Sequence, residues 1–355
     1  TNITRCSTGG IRIGLGAFGT GTPTITGCNV NENGVNATSG SYYLGNGVTL
    51  RTADGSTLNP VLGTTNIRAN RRNGLVLMAV PTNTGPSCSI GGSVTGCDIS
   101  SSGLVGTSGD GVQLRASGSP PLPPPNPPGP PRGAGTITTS FDSNNIYENF
   151  DDGFVVFAYG FGVDGPEYFS FPAVAPTVTN TRIHHNGGDG MDVSISTTNT
   201  PAAADLSPLL SHGTIAYNPG SGIRQGPIDP PVFPTYPPTP PSPSTRVQNS
   251  VVRYNTVADM TAVDEQAQVF NTNFVGGLFP PPNGNNGSAV PTPIFVAGSS
   301  GDFHLFQHPN CAALIDNAPI AAAGATTIDF EGQSRPFNFL PACSPDFDRG
   351  ADEVH

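Results

Sequence analysis

The segment Ile183-His-His-Asn186-Gly-Gly-Asp-Gly190 carries the pattern that decides the fold: an aliphatic residue, asparagine three positions later, glycine four positions after that, then an apolar stretch. The pattern recurs in Ile67-Arg-Ala-Asn70-Arg-Arg-Asn-Gly74, Ile146-Tyr-Glu-Asn149-Phe-Asp-Asp-Gly153 and Ile215-Ala-Tyr-Asn218-Pro-Gly-Ser-Gly222. Variants are Val30-Asn-Glu-Asn33 with Ala37 in the glycine place, Val252-Arg-Tyr-Asn255 with Asp259 there, and Gly109-Asp110-Gly111, whose anchor Ile99 lies further upstream. Self-similarity of this kind indicates a solenoid.

The spacing of the glycine places separates coil from loop. These places fall at 37, 74, 111, 153, 190, 222 and 259, so that successive intervals are 37, 37, 42, 37, 32 and 37 residues. A coil of short strands needs roughly 20 to 25 residues. The surplus follows the strand after the glycine, in 116–135, 158–177, 195–210 and 225–245. Because the prolines in these stretches cannot donate to a ladder, we expect the loops to leave the coils along one edge.

These features predict an all-β fold, a right-handed parallel β-helix with long proline-rich loops on one edge and a C-terminal cap. Asparagine at the bend tolerates a left-handed backbone, and its amide can bond the asparagines of neighbouring coils. Glycine after the bend supplies a positive φ or allows close approach. We expect one domain, with coils and inserted loops over 1–265 and final coils and cap over 266–355. The predicted structural ladder consists of Asn33, Asn70, Asn149, Asn186, Asn218 and Asn255.

Composition excludes several functions. The chain has 46 glycines and 38 prolines, a net charge of −11, and arginine as its only basic residue besides histidine. Without lysine, Schiff-base and lysine-base chemistry are excluded. The acidic balance disfavours nucleic acid and anionic membranes as partners. No apolar run approaches the roughly 20 residues that span a bilayer, so membrane insertion is not expected.

The cysteines suggest an oxidising compartment. None forms a CxxC pair, and no histidine stands at zinc-ligand spacing. Local disulfides are the simpler interpretation, and they imply an extracellular or cell-surface protein. The expected pairs are Cys6 with Cys28, Cys88 with Cys97, and Cys311 with Cys343.

With the repeat in view, residues 20 to 265 resemble the pectate-lyase-like superfamily of right-handed parallel β-helix proteins. The tail resembles the closing segment of secreted bacterial β-helix proteins that carry C-terminal surface anchors, through Asp329-Phe-Glu-Gly-Gln-Ser-Arg335-Pro336 and Asp348-Arg-Gly-Ala-Asp-Glu353. The resemblance implies a cap over the open end of the solenoid, which needs atypical polar sequence. Arg335 is expected to form a salt-bridge cluster in this cap with Asp329, Glu331, Asp348 and Glu353. Such a fold does not specify a substrate.

An acidic column is the first candidate for chemistry. Asp110, Asp152 and Asp189 each precede a glycine of the repeat, with Asp151 and Asp192 nearby. Carboxylates on coils about 4.8 Å apart repel unless a cation or a shared proton intervenes. Calcium is therefore the candidate cofactor, with Asp110, Asp152 and Asp189 as its ligands. Ordinary Asp-Gly turn chemistry is the alternative. The catalytic candidates are Asp152, Asp189, Asp192, His184 and Arg182.

Two further predictions concern the outward face. Asp192 and Arg224 fall at equivalent places on adjacent coils, which predicts a cross-strand ion pair. Rings and histidines suited to glycan binding, or simply normal on an exposed sheet, form neighbouring columns: Tyr147, His184, His185, Tyr217 and Tyr254. Asp151-Asp152 is similar to the paired aspartates of polygalacturonases, whose Asn-Thr-Asp, Gly-His-Gly and Arg-Ile-Lys elements are missing.

Two classes of function remain. The first is a non-catalytic extracellular protein, such as an adhesin or fibre component, that self-associates end to end or through its proline-rich loops, or binds an extracellular glycan. The second is a carbohydrate-active enzyme, a polysaccharide lyase or glycoside hydrolase, that uses the acidic column. We favour the first class because complete enzyme motifs are absent.

Overall fold

The chain folds as a right-handed parallel β-helix, which confirms the predicted fold class. Its computed structural model describes residues 1–6, 9–34, 44–82, 85–103, 109–118, 133–160, 172–197, 204–227, 243–263, 268–275, 285, 294–305 and 329–331. Four parallel sheets, A to D, run along the solenoid, and an antiparallel pair follows them. Among these residues, no helix has the length and apolar character needed to cross a membrane.

The first six coils visit the sheets in the order A, B, C, D, and the last two have described strands in A, B and D; neighbouring strands come from successive coils. Sheet A contains β1 (Asn2–Thr4), β5 (Asn29–Asn31), β9 (Asn66–Arg68), β13 (Asp98–Ser100), β17 (Asn145–Tyr147), β21 (Arg182–His184), β25 (Thr214–Ala216) and β28 (Val251–Arg253). Sheet B contains β2 (Ile11–Leu15), β6 (Val48–Thr52), β10 (Leu75–Ala79), β14 (Val112–Ser117), β18 (Phe154–Gly160), β22 (Met191–Thr197), β26 (Ser221–Pro227) and β29 (Ala258–Thr261).

The other two sheets close the coil. Sheet C contains β3 (Thr20–Gly21), β7 (Thr57–Leu58), β11 (Cys88–Ile90), β15 (Gly135–Ile137), β19 (Ala173–Val174) and β23 (Asp205–Leu206). Sheet D contains β4 (Thr24–Thr26), β8 (Val61–Gly63), β12 (Ser93–Thr95), β16 (Ser140–Asp142), β20 (Thr177–Thr179), β24 (Leu209–Ser211), β27 (Arg246–Gln248) and β30 (Val269–Phe270). The antiparallel pair is β31 (Phe295–Ala297) and β32 (Asp302–Leu305), joined through a 3-10 turn at Gly298–Ser300.

The core is a set of aliphatic columns that run along the solenoid. In sheet A, Ile146 lies between Ile99 and Ile183 of the neighbouring coils, and all three are fully buried. In sheet B, Phe154 lies between Val112 and Met191 in the same way. Truncating one such residue to alanine costs about 2–5 kcal/mol. Every coil therefore depends on the coils on either side of it.

The asparagine column forms a buried ladder of hydrogen bonds. Oδ1 of Asn186 accepts from both the backbone N–H and Nδ2 of Asn149, at 3.2 and 2.9 Å. Asn218 accepts from Asn186, and Asn255 accepts from Asn218, in the same two-donor manner. Sequence reasoning missed Ser102, which takes the asparagine place and donates its N–H to Oδ1 of Asn149. The ladder thus runs through a coil that lacks the asparagine.

The backbone at the bend differs from the prediction. The left-handed residue precedes the asparagine: φ is 53° at Glu148 and His185 and 57° at Tyr217. The predicted left-handed asparagine is therefore wrong. The repeat glycine does not have a positive φ either. A Cβ on Gly153 would lie 2.5 Å from Cγ2 of Ile183 and 2.7 Å from Nδ2 of Asn186, so close approach requires glycine here.

The register shows where the extra residues lie. Val48 pairs with Leu75, which puts Gly47, and not Ala37, into the glycine place beside Gly74; residue 37 lies outside the described residues. The undescribed segments 119–132, 161–171, 198–203 and 228–242 each follow a strand of sheet B. This confirms that the long loops depart from one edge.

The last coil ends the ladder with a substitution. Asp259 stands where the other coils have glycine, and its Oδ1 accepts from the N–H and Nδ2 of Asn255 at 3.4 and 3.3 Å. In preceding coils the asparagine of the next coil provides this acceptor. Oδ2 of Asp259 also accepts from the N–H of Val275 at 2.8 Å. Asp259 thereby provides the acceptor that the asparagine of a following coil would otherwise provide.

The predicted disulfides are wrong for the four described cysteines, which are all free. Cys6 lies beside Asn33 and Cys28 beside Thr1, so they stand five positions apart along adjacent strands. The straight stretch from Thr1 to Thr4 alone spans roughly 10 Å, whereas a disulfide requires Cα atoms within about 7 Å. Strand β12 separates Cys88 from Cys97, and their thiols donate to different carbonyls. Cys311 and Cys343 lie outside the described residues.

Candidate functional site

The acidic column, Asp110, Asp152 and Asp189, lies on three consecutive coils directly before sheet B. The pairing of Val112 with Phe154, and of Phe154 with Met191, brings the three aspartates into register. The same place is occupied by asparagine in the two preceding coils, at Asn46 and Asn73. The column therefore continues a series of side chains that all carry an acceptor oxygen.

These oxygens form a second ladder, from side chain to main chain. Oδ1 of Asp152 accepts the N–H of Asp189, and Oδ1 of Asp189 accepts the N–H of Ser221, both at 2.6 Å. Oδ1 of Asn73 accepts the N–H of Asp110 at 3.1 Å. The aspartates thus bond to the next coil, and not to their own turn as the Asp-Gly alternative assumed. Each carboxylate binds one coil to another.

Burial and mutual repulsion set the protonation of the column. Burial raises the pKa of Asp110 well above its usual value, and the charges of Asp152 and Asp151 raise it further. Nε2 of Gln113 donates to Oδ2 of Asp110 at 3.1 Å. Burial raises the pKa of Asp152 to about 7, although the hydrogen bond from Asp189 opposes this. At neutral pH the column therefore holds protons that exposed aspartates would have lost.

The carboxylates that meet most closely belong to Asp110, Asp151 and Asp152. One oxygen from each lies within 4.8 Å of the others, so Asp151 replaces Asp189 in the predicted metal set. Carboxylate oxygen is the ligand that calcium prefers, but calcium takes six to eight of them. Three oxygens, one of them on the deeply buried Asp110, supply only part of such a shell. A calcium ion here would need ligands besides these three.

Arg224 balances part of the negative charge. Its Nη2 lies 3.1 Å from Oδ2 of Asp192, in the cross-strand register that the sequence predicts, and its Nε lies 2.6 Å from Oδ2 of Asp189. Burial raises the pKa of Asp192, while Arg224 and a hydrogen bond from Ser194 lower it. One arginine thus joins two coils and two carboxylates.

The other two catalytic candidates lie on a different surface. Arg182 and His184 belong to strand β21 of sheet A. Nη2 of Arg182 lies 3.3 Å from Oε1 of Glu331, and its guanidinium stands 3.9 Å above the ring of Phe330. His184 contacts Asn145 and His185. The predicted catalytic set is therefore divided between two faces of the solenoid.

The predicted glycan-binding rings stack on one another along sheet A. Tyr147 stacks on His184 with centroids 5.3 Å apart, and His185 stacks on Tyr217 at 5.2 Å. Tyr254 stacks on Tyr217 at 5.1 Å. A sugar that packs on an aromatic ring needs an open ring face. Here most of the faces are already used by neighbouring rings.

The C-terminal segment covers this column. The ring of Phe303 lies 4.5 Å from that of His184, and the ring of Phe295 lies 6.1 Å from that of Tyr254. Tyr254 Oη accepts the N–H of Ile294 at 3.1 Å. The segment 294–305 therefore packs on the side of the solenoid, and most of the predicted cap lies outside the described residues. Of the predicted tail salt-bridge cluster only Asp329 and Glu331 are described; Arg335, Asp348 and Glu353 are not.

The outward face of sheet B is also closed at its centre. Strand alternation directs Val76, Met78 and Val155 away from the core, yet they are only 1%, 4% and 7% exposed. They stand beside the acidic column. The carboxylates of Asp110 and Asp192 are buried as well, whereas Asp151 is exposed. Access to the column is thus restricted to its outer rim.

Comparison of the chain with protein-family models, with curated proteins and with solved structures gives no match. The fold alone defines its class, the parallel β-helix proteins.

Proposed function

We propose that the chain is a secreted or cell-surface structural protein, a rigid β-helix that presents its proline-rich loops to an extracellular glycan or to a second copy. The observation that carries this proposal is that the groups suited to chemistry are engaged in the fold. Asp152 and Asp189 accept main-chain hydrogen bonds from the next coil. The stacked rings of sheet A lie under the C-terminal segment. Membership in the pectate-lyase-like superfamily is part of the proposal and rests on the repeat and its ladder.

The arrangement of the coils suits a role in display. Loop-bearing coils succeed one another along the axis at about 4.8 Å per coil, so the loop bases fall in a line. When several loops of one chain bind the same partner, each bound loop raises the effective concentration of the next binding site. The combined binding is therefore stronger than that of a single loop. We place the partner contacts at the loops, because the strands of sheet B that precede them are aligned along the solenoid.

Replacing residues 119–132 with a short Gly-Ser linker tests this proposal. The bridge between Gly118 and Ala134 closes the base of that loop and is retained. The melting temperature should change little, because the cost of closing a loop varies only slowly with its length. Binding to insoluble polysaccharides, or self-association measured by sedimentation, should fall. A variant that keeps full binding with loops 119–132 and 228–242 both replaced would contradict display by the loops.

A carbohydrate-active enzyme, lyase or glycoside hydrolase, is the second candidate. Asn73 provides the same ladder acceptor without a charge, so the fold alone does not require carboxylates in the next three coils. Asp152, with a pKa of about 7, is suited to donate a proton at neutral pH. Asp189 and Asp192 are paired with Arg224 and would supply the second carboxylate.

A polysaccharide panel separates the two candidates. Release of reducing ends or unsaturated products is assayed with and without calcium, for the natural chain and for Asp152→Asn. If the chain is a structural protein, the natural chain should release no more product than Asp152→Asn. Product formation that Asp152→Asn abolishes, with a melting temperature no lower than that of the natural chain, would establish the enzyme.

A further inference from the structure

The C-terminal segment 294–305, which we call the cover hairpin, depends on sheet A for its order. It comprises β31, the 3-10 turn and β32, and it belongs to none of the four parallel sheets. A two-stranded hairpin is marginal in water by itself. Phe295 and Phe303 are buried against the ring column, together with Ala216 and Val251 of sheet A. Whatever weakens the contact with sheet A therefore also releases the hairpin.

Beneath Phe303, two adjacent histidines meet through the same ring atom. Nδ1 of His184 lies 2.9 Å from Nδ1 of His185. The amide of Asn145 donates through Nδ2 to Asp98, so its Oδ1 faces Nε2 of His184 at 2.9 Å. His184 consequently carries its hydrogen on Nε2 and offers a lone pair at Nδ1. His185 then supplies the hydrogen at Nδ1, and the pair is complete with both rings neutral.

We propose that the cover hairpin is released by acid and that the contact between His184 and His185 is the sensor. The space between the two Nδ1 atoms holds one hydrogen. A proton added to Nδ1 of His184 would set two N–H groups against each other at 2.9 Å, with the charge buried under Phe303. Separation of the rings relieves this conflict, and it requires the hairpin to move.

The surrounding charged groups oppose or aid the release. Arg182 of sheet A disfavours a positive charge on His184. Glu148 and the backbone of Ser299 in the hairpin favour a positive charge on His185. Tyr147 and Tyr217 stack on the two histidines. On the hairpin, His304 lies 2.6 Å from Asp302 and 3.0 Å from Glu331, so its protonation strengthens docking.

The direction of the pH effect follows from burial. Burial, then the charges of His185 and Arg182, lowers the pKa of His184 to about 3. Because the pKa of His184 is lower with the hairpin docked than with the hairpin released, docking is strongest above about pH 6.5 and is lost as the pH falls toward 3. Asp302 and Glu331 have lowered pKa values, Asp302 through the hydrogen bond from His304. Their contribution to docking is therefore lost only at still lower pH.

Hydrogen exchange of the full chain tests the proposal. Protection factors of the amides of residues 294–305 should fall about tenfold for each pH unit between 6 and 4, while core amides of β17 and β21 stay protected. His184→Gln cannot titrate and should abolish the slope. His304→Gln is the matched control, and it should keep the slope while docking more weakly. If His184→Gln fails to dock at any pH, His184→Asn, which also cannot titrate, provides the same test.

A dye that reports apolar surface provides a second readout. Release uncovers Ala216, Val251 and the ring edges, so binding of anilinonaphthalene sulfonate should rise below pH 5 in the natural chain and not in the His184→Gln variant. Protection that stays constant from pH 6 to pH 4 would overturn the proposal. A slope that persists in His184→Gln but disappears in His304→Gln would overturn it equally.

Discussion

Replacing Asn186 with alanine should destabilise the solenoid far more than removal of an amide from the outer surface. Asn186 is fully buried and makes four ladder contacts. Its Oδ1 accepts from the N–H and Nδ2 of Asn149, and its Nδ2 donates to Asn218 and to the carbonyl of Ile146. Alanine removes all four of these contacts.

The groups that bond to Asn186 do not all lose their last hydrogen bond in the alanine variant, and this determines the expected destabilisation. Nδ2 of Asn149 retains the carbonyl of Ile99 as an acceptor, and Oδ1 of Asn218 retains the N–H of Asn186 as a donor. The N–H of Asn149 loses its acceptor and remains buried, which costs about 1–3 kcal/mol, and the other lost bonds cost about 0.5–1.5 kcal/mol each. We therefore expect a total destabilisation of about 2.5–7.5 kcal/mol.

Urea unfolding followed by circular dichroism measures this loss. The matched control is Asn29→Ala, which removes a half-buried amide from the outer face of sheet A, where it bonds Asn2 and Asn66; that change should cost less than about 1 kcal/mol. Equal midpoints for the two variants would refute the reasoning, because the inner column would then contribute no more than an exposed one.

Three further changes test other parts of the fold. Gly153→Ala should cost about 1–3 kcal/mol or more because its Cβ meets Ile183 and Asn186, whereas Gly14→Ala, with no atom within 4 Å, should be neutral in thermal unfolding. Asp259→Gly should cost about 1–3 kcal/mol by removing the acceptor of the Asn255 N–H, and Asp259→Asn should restore most of it. The raised pKa of Asp152 means that its carboxyl destabilises the fold increasingly as the pH rises from about 4 to 7. Asp152→Asn should therefore stabilise the chain at pH 8 by up to roughly 4 kcal/mol and change little at pH 4; equal effects at both pH values would contradict this.

The repeat predicted the coils because each coil must satisfy the same two requirements. An aliphatic residue such as Ile183 must fill the core, and an acceptor such as Asn186 must meet the coil before it. These requirements leave a periodic trace in the sequence. Ser102 and Gly47 escaped notice because the neighbouring segments 104–108 and 35–43 lengthen their coils and shift the period. The position of the left-handed residue also leaves no trace, since Glu148, His185 and Tyr217 share no residue type.

The site was less accessible to sequence reasoning because its properties depend on contacts between coils. Asp-Gly spacing placed three carboxylates in register, but it did not show that each binds the N–H of the following coil. The spacing of Cys6 and Cys28 suggested a bridge, while the strand register puts them far apart. The cover hairpin lies more than a hundred residues along the chain from His184, so nothing local in the sequence connects the two.

Cysteine pairs in sheet D test the stacking of the coils most directly. Ser140 and Thr177 are register partners on adjacent strands, and their side chains point outward. Adjacent strands place such Cα atoms about 4.8 Å apart, within the range of a disulfide, whereas Ser140 and Thr179 lie roughly 8 Å apart. After mild oxidation, peptide mapping should find the 140–177 crosslink in Ser140→Cys/Thr177→Cys and no crosslink in Ser140→Cys/Thr179→Cys. The reverse result would contradict the register on which the ladder, the acidic column and the cover hairpin all depend.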